Sequence, residues 1–172
     1  MHTYQPANAM KTLQVIIETP KGSNQKYHYD ENTHFFHLKK ILPVGMIFPF
    51  DFGFLPGTKG EDGDPLDVLV ISELCNFPGS VVECRLIGGF KAVQSSKDLA
   101  GKKIRNDRFF AIPVLSLLYR DVQNLPDLPA QMIKETEDFF VQYNKLERKS
   151  FLVLENMGTK EATKLISKNS KN

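Results

Sequence analysis

The segment most able to do chemistry is EDGDPLD at residues 61–67, which places four acids in seven positions directly before the apolar run VLVI. Carboxylates packed this closely repel one another unless a cation or water offsets their charge. In an extended chain Asp62 and Asp64 lie on one face, and Asp67 can turn back from the start of the following strand. Three carboxylates converging on one point are the ligands that a hard cation such as Mg²⁺ requires.

The same segment has a second interpretation, an exposed turn between two strands. Asp-Gly and Asp-Pro pairs are common in turns, where the acids carry no function. An EF-hand calcium loop is excluded, because it needs an acid at position 5 and glycine at position 6, where this segment has Leu66 and Asp67. Spacing alone therefore leaves two hypotheses open, a metal site and a functionless turn.

Phenylalanines alternate in the segment FPFDFGF at residues 48–54, so their rings share one face if this segment is extended. Such a face is able to stack the bases of single-stranded nucleic acid, or it packs in a core beneath a Pro/Gly-rich loop. The modest net charge of +2, and the repulsion that Asp51 would exert on phosphates, favour packing in a core.

The composition is that of a folded globular protein of ordinary charge. The chain has 172 residues, of which 24% are charged and 41% hydrophobic, which excludes wholesale disorder and a polycationic nucleic-acid tail. The longest uncharged stretches, 41–50 and 109–119, are too short to span a membrane, and no secretion signal follows Met1. Cys75 and Cys84 form neither a disulfide framework nor a zinc motif. We expect a soluble, cytoplasmic protein.

Hydrophobic patterning predicts short strands first and helices afterwards. Strands are predicted over 13–18, 26–30, 34–38, 68–72, 80–90 and 108–114. A helical stripe predicts one long helix over 129–147 and a shorter one over 160–168. We therefore expect a single domain over 1–172, mainly β with α, forming a small closed barrel with the two C-terminal helices packed outside. A loose arm over 1–12 and a frayed tail over 169–172 are expected at its ends.

The segment DGDPLD at 62–67 resembles the signature of the family I soluble inorganic pyrophosphatases. Further matches occur in the order and approximate spacing of that family, and they cover about residues 13–147: Val15-Ile-Ile-Glu18-x-Pro20, Lys26-Tyr27, Phe48-Pro49 with Gly53, Pro78-Gly79-Ser80-Val81, Arg85-x-Ile87-Gly88, Ala111-Ile-Pro113, Leu125-Pro-x-Leu128 and Phe139-Phe140-x-x-Tyr143. The resemblance implies a five-stranded OB-like barrel. It also implies Mg²⁺-dependent hydrolysis of pyrophosphate, with Mn²⁺ as an alternative metal, and assembly as a homo-oligomer, by family resemblance a hexamer.

The resemblance also implies roles for the acids. Asp62 and Asp67 would be metal ligands, Asp64 would be the base near the attacking water, and Glu18 would lie in the outer metal shell. Bridging metals would neutralise the charge of pyrophosphate and lower the pKa of the attacking water.

The phosphate-binding residues implied by the resemblance depart in part from the family pattern. Lys26 and Tyr143 match that pattern and would bind phosphate. Lys40 stands where an arginine is usual, and Arg108 stands where a lysine is usual, so both are assigned to the substrate. Lysine offers a point charge in place of the bidentate fork of arginine.

Other departures remove carboxylates and hydroxyls. Gln94 and Ser95 stand where an Asp-Glu pair is usual. Asn106-Asp107-Arg108 stands where Asp-x-Lys is usual, so Asp107 is a metal ligand only if a bulge re-aims it. Further departures are His28, Phe48, Phe52 and Asn144, with Lys145 displaced by one position. His28, Arg108 and Lys145 could re-form a basic wall. A degenerate homologue, which hydrolyses another phosphoanhydride or only binds phosphate or metal, is the alternative function, and a nucleic-acid-binding module is a second one.

Overall fold

The computed structural model describes residues 12–95 and 101–170. The predicted N-terminal arm falls on residues outside this part of the chain, except for Thr12. The strands are β1 (Leu13–Thr19), β2 (Gln25–Asp30), β3 (Phe35–Ile41), β4 (Asp51–Phe54), β5 (Asp67–Val70), β6 (Val81–Ser95), β7 (Lys103–Arg105), β8 (Arg108–Pro113) and β9 (Ser150–Met157). The helices are α1 (Ala130–Leu146) and α2 (Thr159–Asn169), with a short 3-10 helix at Leu125–Asp127.

Five of these strands close into a ring in the order β1-β4-β5-β8-β6, because β6 also pairs with β1. Every pair in the ring is antiparallel except β5–β8, which is parallel. The register between β6 and β8 shifts next to Gly88, whose φ of 138° and close approach to the Met157 carbonyl leave no room for a side chain. The ring confirms the predicted mainly β architecture with a closed five-stranded sheet and two C-terminal helices.

The two helices cover two apolar clusters of the sheet. In one cluster, aromatic side chains of the sheet such as Phe52 and Phe110 pack against Phe140 and Tyr143 on the buried face of α1. The other joins the opposite part of the sheet to Ala162 and Ile166 of α2. Burying one such large side chain contributes roughly 1.5–3 kcal/mol, so the stripes fix both helices against the sheet. Among the described residues, no helix is long and apolar enough to cross a membrane.

The alternating phenylalanines lie in the interior. Phe48, Phe50, Phe52 and Phe54 are between 2% and 9% exposed, and β4 carries the last two of them. A stacking platform for nucleic-acid bases needs accessible ring faces. The interpretation of this segment as a core element is therefore confirmed, and its use as a binding platform is contradicted.

The region between the helices differs from the prediction. Strand β9 pairs with β6 but has exposed Leu152 and Leu154, so it lacks the alternation of apolar and polar residues that reveals a strand in sequence. The tail predicted to fray is structured where it is described: Asn169 ends α2, and Ser170 forms a bridge with Thr58. Residues 171–172 lie outside the described part.

A separate hairpin of β2 and β3 supplies part of the cavity described below. Its register places Lys26 opposite Lys40, so both ammonium groups leave the same face of the hairpin. The tip of the hairpin, with Asp30, Glu31 and Asn32, also lines that cavity.

Candidate active site

A cavity of about 760 Å³ lies between the β2–β3 hairpin, the loop over residues 58–66, the start of β8 and the C-terminal part of α1. Of the nine residues predicted for the site, eight line this cavity: Glu18, Lys26, Lys40, Asp62, Asp64, Asp67, Arg108 and Tyr143. The ninth, Asp107, does not. We refer to Asp62, Asp64 and Asp67 as the acidic wall, and to Lys26, Lys40 and Arg108 as the basic wall.

The acidic wall is carried mainly by a tight loop. The amide of Gly60 donates to the carbonyl of Asp64 (2.8 Å), and the amide of Asp64 donates to the carboxylate of Asp62 (3.2 Å). Gly63 allows this turn because it adopts a left-handed φ of 92°. Asp67 differs from the other two acids, since it is the first residue of β5 and pairs with Phe54 of β4.

The other two acids of this wall disfavour the ionisation of Asp62. Partial burial, followed by the charges of Asp67 and Asp64, raises the pKa of Asp62 to about 6. A carboxyl that is desolvated beside two others gains when a cation shares its site. A cation in this cavity would therefore offset the repulsion that Asp62 experiences.

The arrangement of the acids corrects one expectation. Within residues 12–95 and 101–170, no three His, Cys, Asp or Glu side chains are gathered closely enough to hold a metal ion. The predicted convergence of three carboxylates on one point is therefore wrong for this geometry, although all three line one cavity. Carboxylate oxygens remain the donor set that Mg²⁺ and Mn²⁺ prefer, so the residues fit such a cation by their chemistry.

Arg108 joins the basic wall to the acidic wall. The parallel register of β5 and β8 sets Val68 beside Phe109, so Asp67 and Arg108 meet at the start of the two strands. Arg108 Nη1 lies 2.6 Å from Asp67 Oδ2, and the same nitrogen donates to the side chain of Asn106. Arginine in place of lysine therefore adds a planar group that reaches two partners.

The guanidinium of Arg108 is buried among aromatic rings. Its Cζ lies 5.2 Å from the ring centre of Phe140 and 5.3 Å from that of Phe151. Arg108 is only 5% exposed, and its Nε has no hydrogen-bond partner among the described residues. The rings and Asp67 fix this permanent positive charge beside the cavity.

Lys26 and Glu18 line the same cavity and attract each other. Burial lowers the pKa of Lys26 against the attraction of Glu18, and burial raises the pKa of Glu18 against the attraction of Lys26. The Nζ of Lys26 lies 4.4 Å from the ring centre of Phe52, and Glu18 accepts a hydrogen bond from the Tyr29 amide (2.9 Å). His28 stands where the family pattern has an acid. Its Nδ1 lies 3.5 Å from the Glu18 carboxylate.

Lys40 and Tyr143 lie at the end of the cavity near the C-terminus of α1. The ammonium of Lys40 lies 4.8 Å from the ring centre of Tyr143 and forms an ion pair with Glu147. Burial, and then Lys26, Lys149 and Lys39, lower the pKa of Lys40 to about 8. Burial raises the pKa of Tyr143, so its hydroxyl remains a proton donor.

Asp107 lies outside the cavity, and Asn106 takes its place there. Asp107 accepts from Arg105 through both carboxylate oxygens (2.7 and 2.8 Å) and from the Ala92 amide (2.9 Å). Asn106 instead lines the cavity and donates to Gln94 (2.8 Å). Asp107 instead lines a smaller neighbouring cavity, which Asp62 and Asp67 also border. Asn106 and Gln94 thus present side-chain amides to the cavity where the family pattern has carboxylates.

The turn after α1 supplies two cavity residues that the sequence did not reveal. Glu147 and Lys149 line the cavity from the turn after α1, whereas Lys145, which was expected there, is exposed and does not line it. Their closeness to Tyr143 in the sequence indicated that they could lie near the site. The sequence did not show in which direction the chain turns after the helix.

Comparison with known proteins gives one consistent result. The sequence model of the family described as inorganic pyrophosphatase matches residues 15–172. An inorganic pyrophosphatase of Leifsonia xyli subsp. xyli is 36% identical over 158 residues, which cover 91% of this chain and 93% of the relative. An inorganic pyrophosphatase of Sulfolobus acidocaldarius is 35% identical over 154 residues, which cover 88% of this chain and 85% of the relative.

Solved structures show the same likeness. The crystal structure of an inorganic pyrophosphatase from Neisseria gonorrhoeae superposes with a TM-score of 0.83 and 30% identity, over 98% of this chain and 95% of that one. The inorganic pyrophosphatase from Thermus thermophilus gives a TM-score of 0.83 and 30% identity, over 95% and 91%.

Proposed function

This chain belongs to the inorganic pyrophosphatase family, and from that premise we propose that its cavity hydrolyses pyrophosphate to two phosphates with the help of divalent cations. The observation that carries the proposal is that the acidic wall and the basic wall lie in the same cavity. Pyrophosphate is a small polyanion, so it needs direct positive charge, and the cations that accompany it need carboxylates. A cavity with both walls meets both needs.

The basic wall supplies the direct contacts to the substrate. Lys26 and Lys40 present ammonium groups from one face of the hairpin, and Arg108 presents a guanidinium that keeps its charge at any working pH. The protonated hydroxyl of Tyr143 adds a hydrogen-bond donor. These groups offset the charge of the phosphate that leaves when the bridging P–O bond breaks.

The acidic wall is assigned to the cations and to the water. Asp62 and Asp67 would hold Mg²⁺, or Mn²⁺ in its place, with Glu18 behind them. When bound, these cations neutralise substrate oxygens and lower the pKa of a nearby water. Asp64, exposed to the cavity, accepts a proton of the water as its oxygen attacks one phosphorus atom. Asp107 is left out of this assignment because of its position.

The alternative functions gain no support. A nucleic-acid platform would need accessible rings, and Phe48 and Phe52 are buried. Nothing in the cavity favours another phosphoanhydride over pyrophosphate, or binding without turnover. Hexameric assembly and a cytoplasmic location stay predictions.

Phosphate release measures the proposal directly. The full chain is mixed with pyrophosphate and Mg²⁺, with Mn²⁺, or with EDTA, and parallel reactions contain tripolyphosphate or ATP. We expect release from pyrophosphate with Mg²⁺ and none with EDTA. Asp64→Asn should lower kcat about 10²–10³-fold, whereas the matched variant Asp121→Asn, at a side chain that is 95% exposed, should not. Absence of release from pyrophosphate with either metal would contradict the proposal.

A further inference from the structure

The residue after Tyr143 does not supply the cation that the family pattern has at this position. Asn144 is 2% exposed, and its side-chain amide donates to the Phe140 carbonyl (2.9 Å), a bond within the helix. Lys145 is exposed and does not line the cavity. The cavity therefore has no lysine from the last turn of α1.

The turn after the helix supplies a lysine instead. The chain reverses at Arg148, whose φ of 58° is left-handed, and the amides of Arg148 and Lys149 donate to the carbonyls of Lys145 and Asn144 (both 3.0 Å). These bonds satisfy carbonyls at the end of α1 and fix the path of the turn. As a result Glu147 and Lys149 both line the cavity.

In this turn one carboxylate serves two ammonium groups. Glu147 forms an ion pair with Lys40, and its second oxygen lies 3.7 Å from the Nζ of Lys149. The side chains of Glu147 and Lys149 are 24% and 35% exposed, so water screens these charges only in part. This end of the cavity therefore holds two lysines that share one acid.

One carboxylate neutralises only part of the positive charge of the lysines around it, so a bound polyanion can neutralise the rest. Phosphate oxygens accept hydrogen bonds from several ammonium groups at once, whereas a single carboxylate has fewer oxygens and less charge. In this structure Glu147 offsets part of the charge of the two lysines. In the presence of substrate, its negative charge opposes the incoming anion.

We propose that Lys149 binds a phosphate group of the substrate together with Lys40, and that Glu147 is a counter-ion which the phosphate replaces. This inference rests on the proposed function, since it adds a substrate contact to the same cavity. It predicts opposite effects for two neighbouring residues. Removing Lys149 weakens substrate binding, and removing the charge of Glu147 strengthens it.

Binding of methylenediphosphonate, a diphosphonate that cannot be hydrolysed at its bridge, tests this without turnover. Calorimetry is carried out on the full chain with Mg²⁺ at pH 7. We expect Lys149→Met to raise the Kd about tenfold, the size of one charge-assisted hydrogen bond. Lys145→Met is the matched control, because Lys145 lies four residues earlier and does not line the cavity, and it should change the Kd less than twofold.

The variant Glu147→Gln keeps the shape of the side chain and removes its charge. We expect it to lower the Kd about two- to fivefold, and to lower the KM for pyrophosphate while leaving kcat within about twofold. A residue that only stabilises the turn would not lower the KM, so this split separates a counter-ion from a structural role. An unchanged or raised Kd in Glu147→Gln overturns the role of Glu147.

Equal values of Kd for Lys149→Met and Lys145→Met overturn the role of Lys149. The outcome is separable from that of the proposed function. If the unmodified chain releases no phosphate from pyrophosphate, the proposed function fails, while the binding comparison still decides whether Lys149 and Glu147 act on a diphosphonate. If the chain is active but the variants have the same Kd for methylenediphosphonate as the unmodified chain, only the roles of Lys149 and Glu147 fail.

Discussion

On the acidic wall, two of the three carboxylates are carried by a loop, whereas on the basic wall all three cations are carried by strands. Asp62 and Asp64 are carried by a turn held by a few backbone bonds. Lys26 and Arg108 are instead packed against aromatic rings. The basic wall is thus arranged before the substrate arrives, and the acidic wall is not gathered around a point.

This difference indicates how the site is completed. Fixed cations reduce the reorganisation needed when a polyanion binds. Mutually repelling carboxylates are drawn together only when a divalent ion is present. Asp67 connects the acidic wall to the basic wall, because it lies on a strand and forms an ion pair with Arg108.

The largest expected effect is therefore at Asp67. We expect Asp67→Asn to lower kcat/KM about 10²–10³-fold, since a metal ligand is lost. It should also lower the free energy of unfolding by about 3 kcal/mol, because the buried charge of Arg108 loses its partner. Relief of repulsion within the acidic wall does not offset that loss. Urea unfolding in EDTA and calorimetry with Mg²⁺ measure the two effects.

Asp62→Asn is the matched comparison for that experiment. It should weaken Mg²⁺ binding without loss of stability, because Asp62 has no buried cation to leave unpaired and its charge is disfavoured in the folded chain. Equal free energies of unfolding for the two variants would show that the ion pair between Asp67 and Arg108 does not stabilise the fold.

On the basic wall, Lys40 should give substrate binding a pH dependence. Its pKa is lowered to about 8, with Lys26, Lys39 and Lys149 adding to the effect of burial, while Glu147 and Tyr143 also face it. Only the protonated form attracts phosphate, so binding is complete below this pH and is lost as the pH rises through it. We expect the Kd for methylenediphosphonate to rise about tenfold by pH 9.

Lys40→Arg is the control, because arginine keeps its charge over this range. Changes in the ligand's own ionisation are common to both proteins. A parallel rise of Kd in the two proteins would assign the pH dependence to the ligand or the metal rather than to Lys40.

A third prediction concerns the amides between the walls. Gln94 and Asn106 replace carboxylates, so we expect fewer bound ions than in relatives that have acids at these positions. The double variant Gln94→Glu, Asn106→Asp should bind about one additional Mg²⁺ per chain. Calorimetric stoichiometry measures this, and an unchanged count in the double variant contradicts it.

The smallest effect is expected at Asp107. Because it lies outside the cavity, Asp107→Asn should change kcat/KM less than about twofold and leave the Mg²⁺ stoichiometry as it is. The remaining side-chain oxygen can still accept from the Ala92 amide or from Arg105, so stability should fall by about 1 kcal/mol or less. A loss of bound metal in this variant would restore Asp107 as a ligand.

Much of the fold could be predicted because its signals are local. The stripe of α1 and the short apolar strands depend on periods of 3.6 and 2 residues, which the sequence displays directly. Strand β9 was missed because its exposed Leu152 and Leu154 obscure that period. The candidate site was predicted where it depends on closely spaced residues, as in the loop that carries Asp62 and Asp64.

By itself the sequence determined the acidic segment, the order of strands and helices, and the residue types able to bind phosphate. Only the tertiary structure decided that Asn106 rather than Asp107 lines the cavity, that Arg108 pairs with Asp67, and that the turn after α1 contributes Lys149. The physical reason is that each outcome depends on which side of the backbone faces the cavity. Strand register and a left-handed turn set that direction, and both are determined by residues distant in sequence or by the packing of the whole chain.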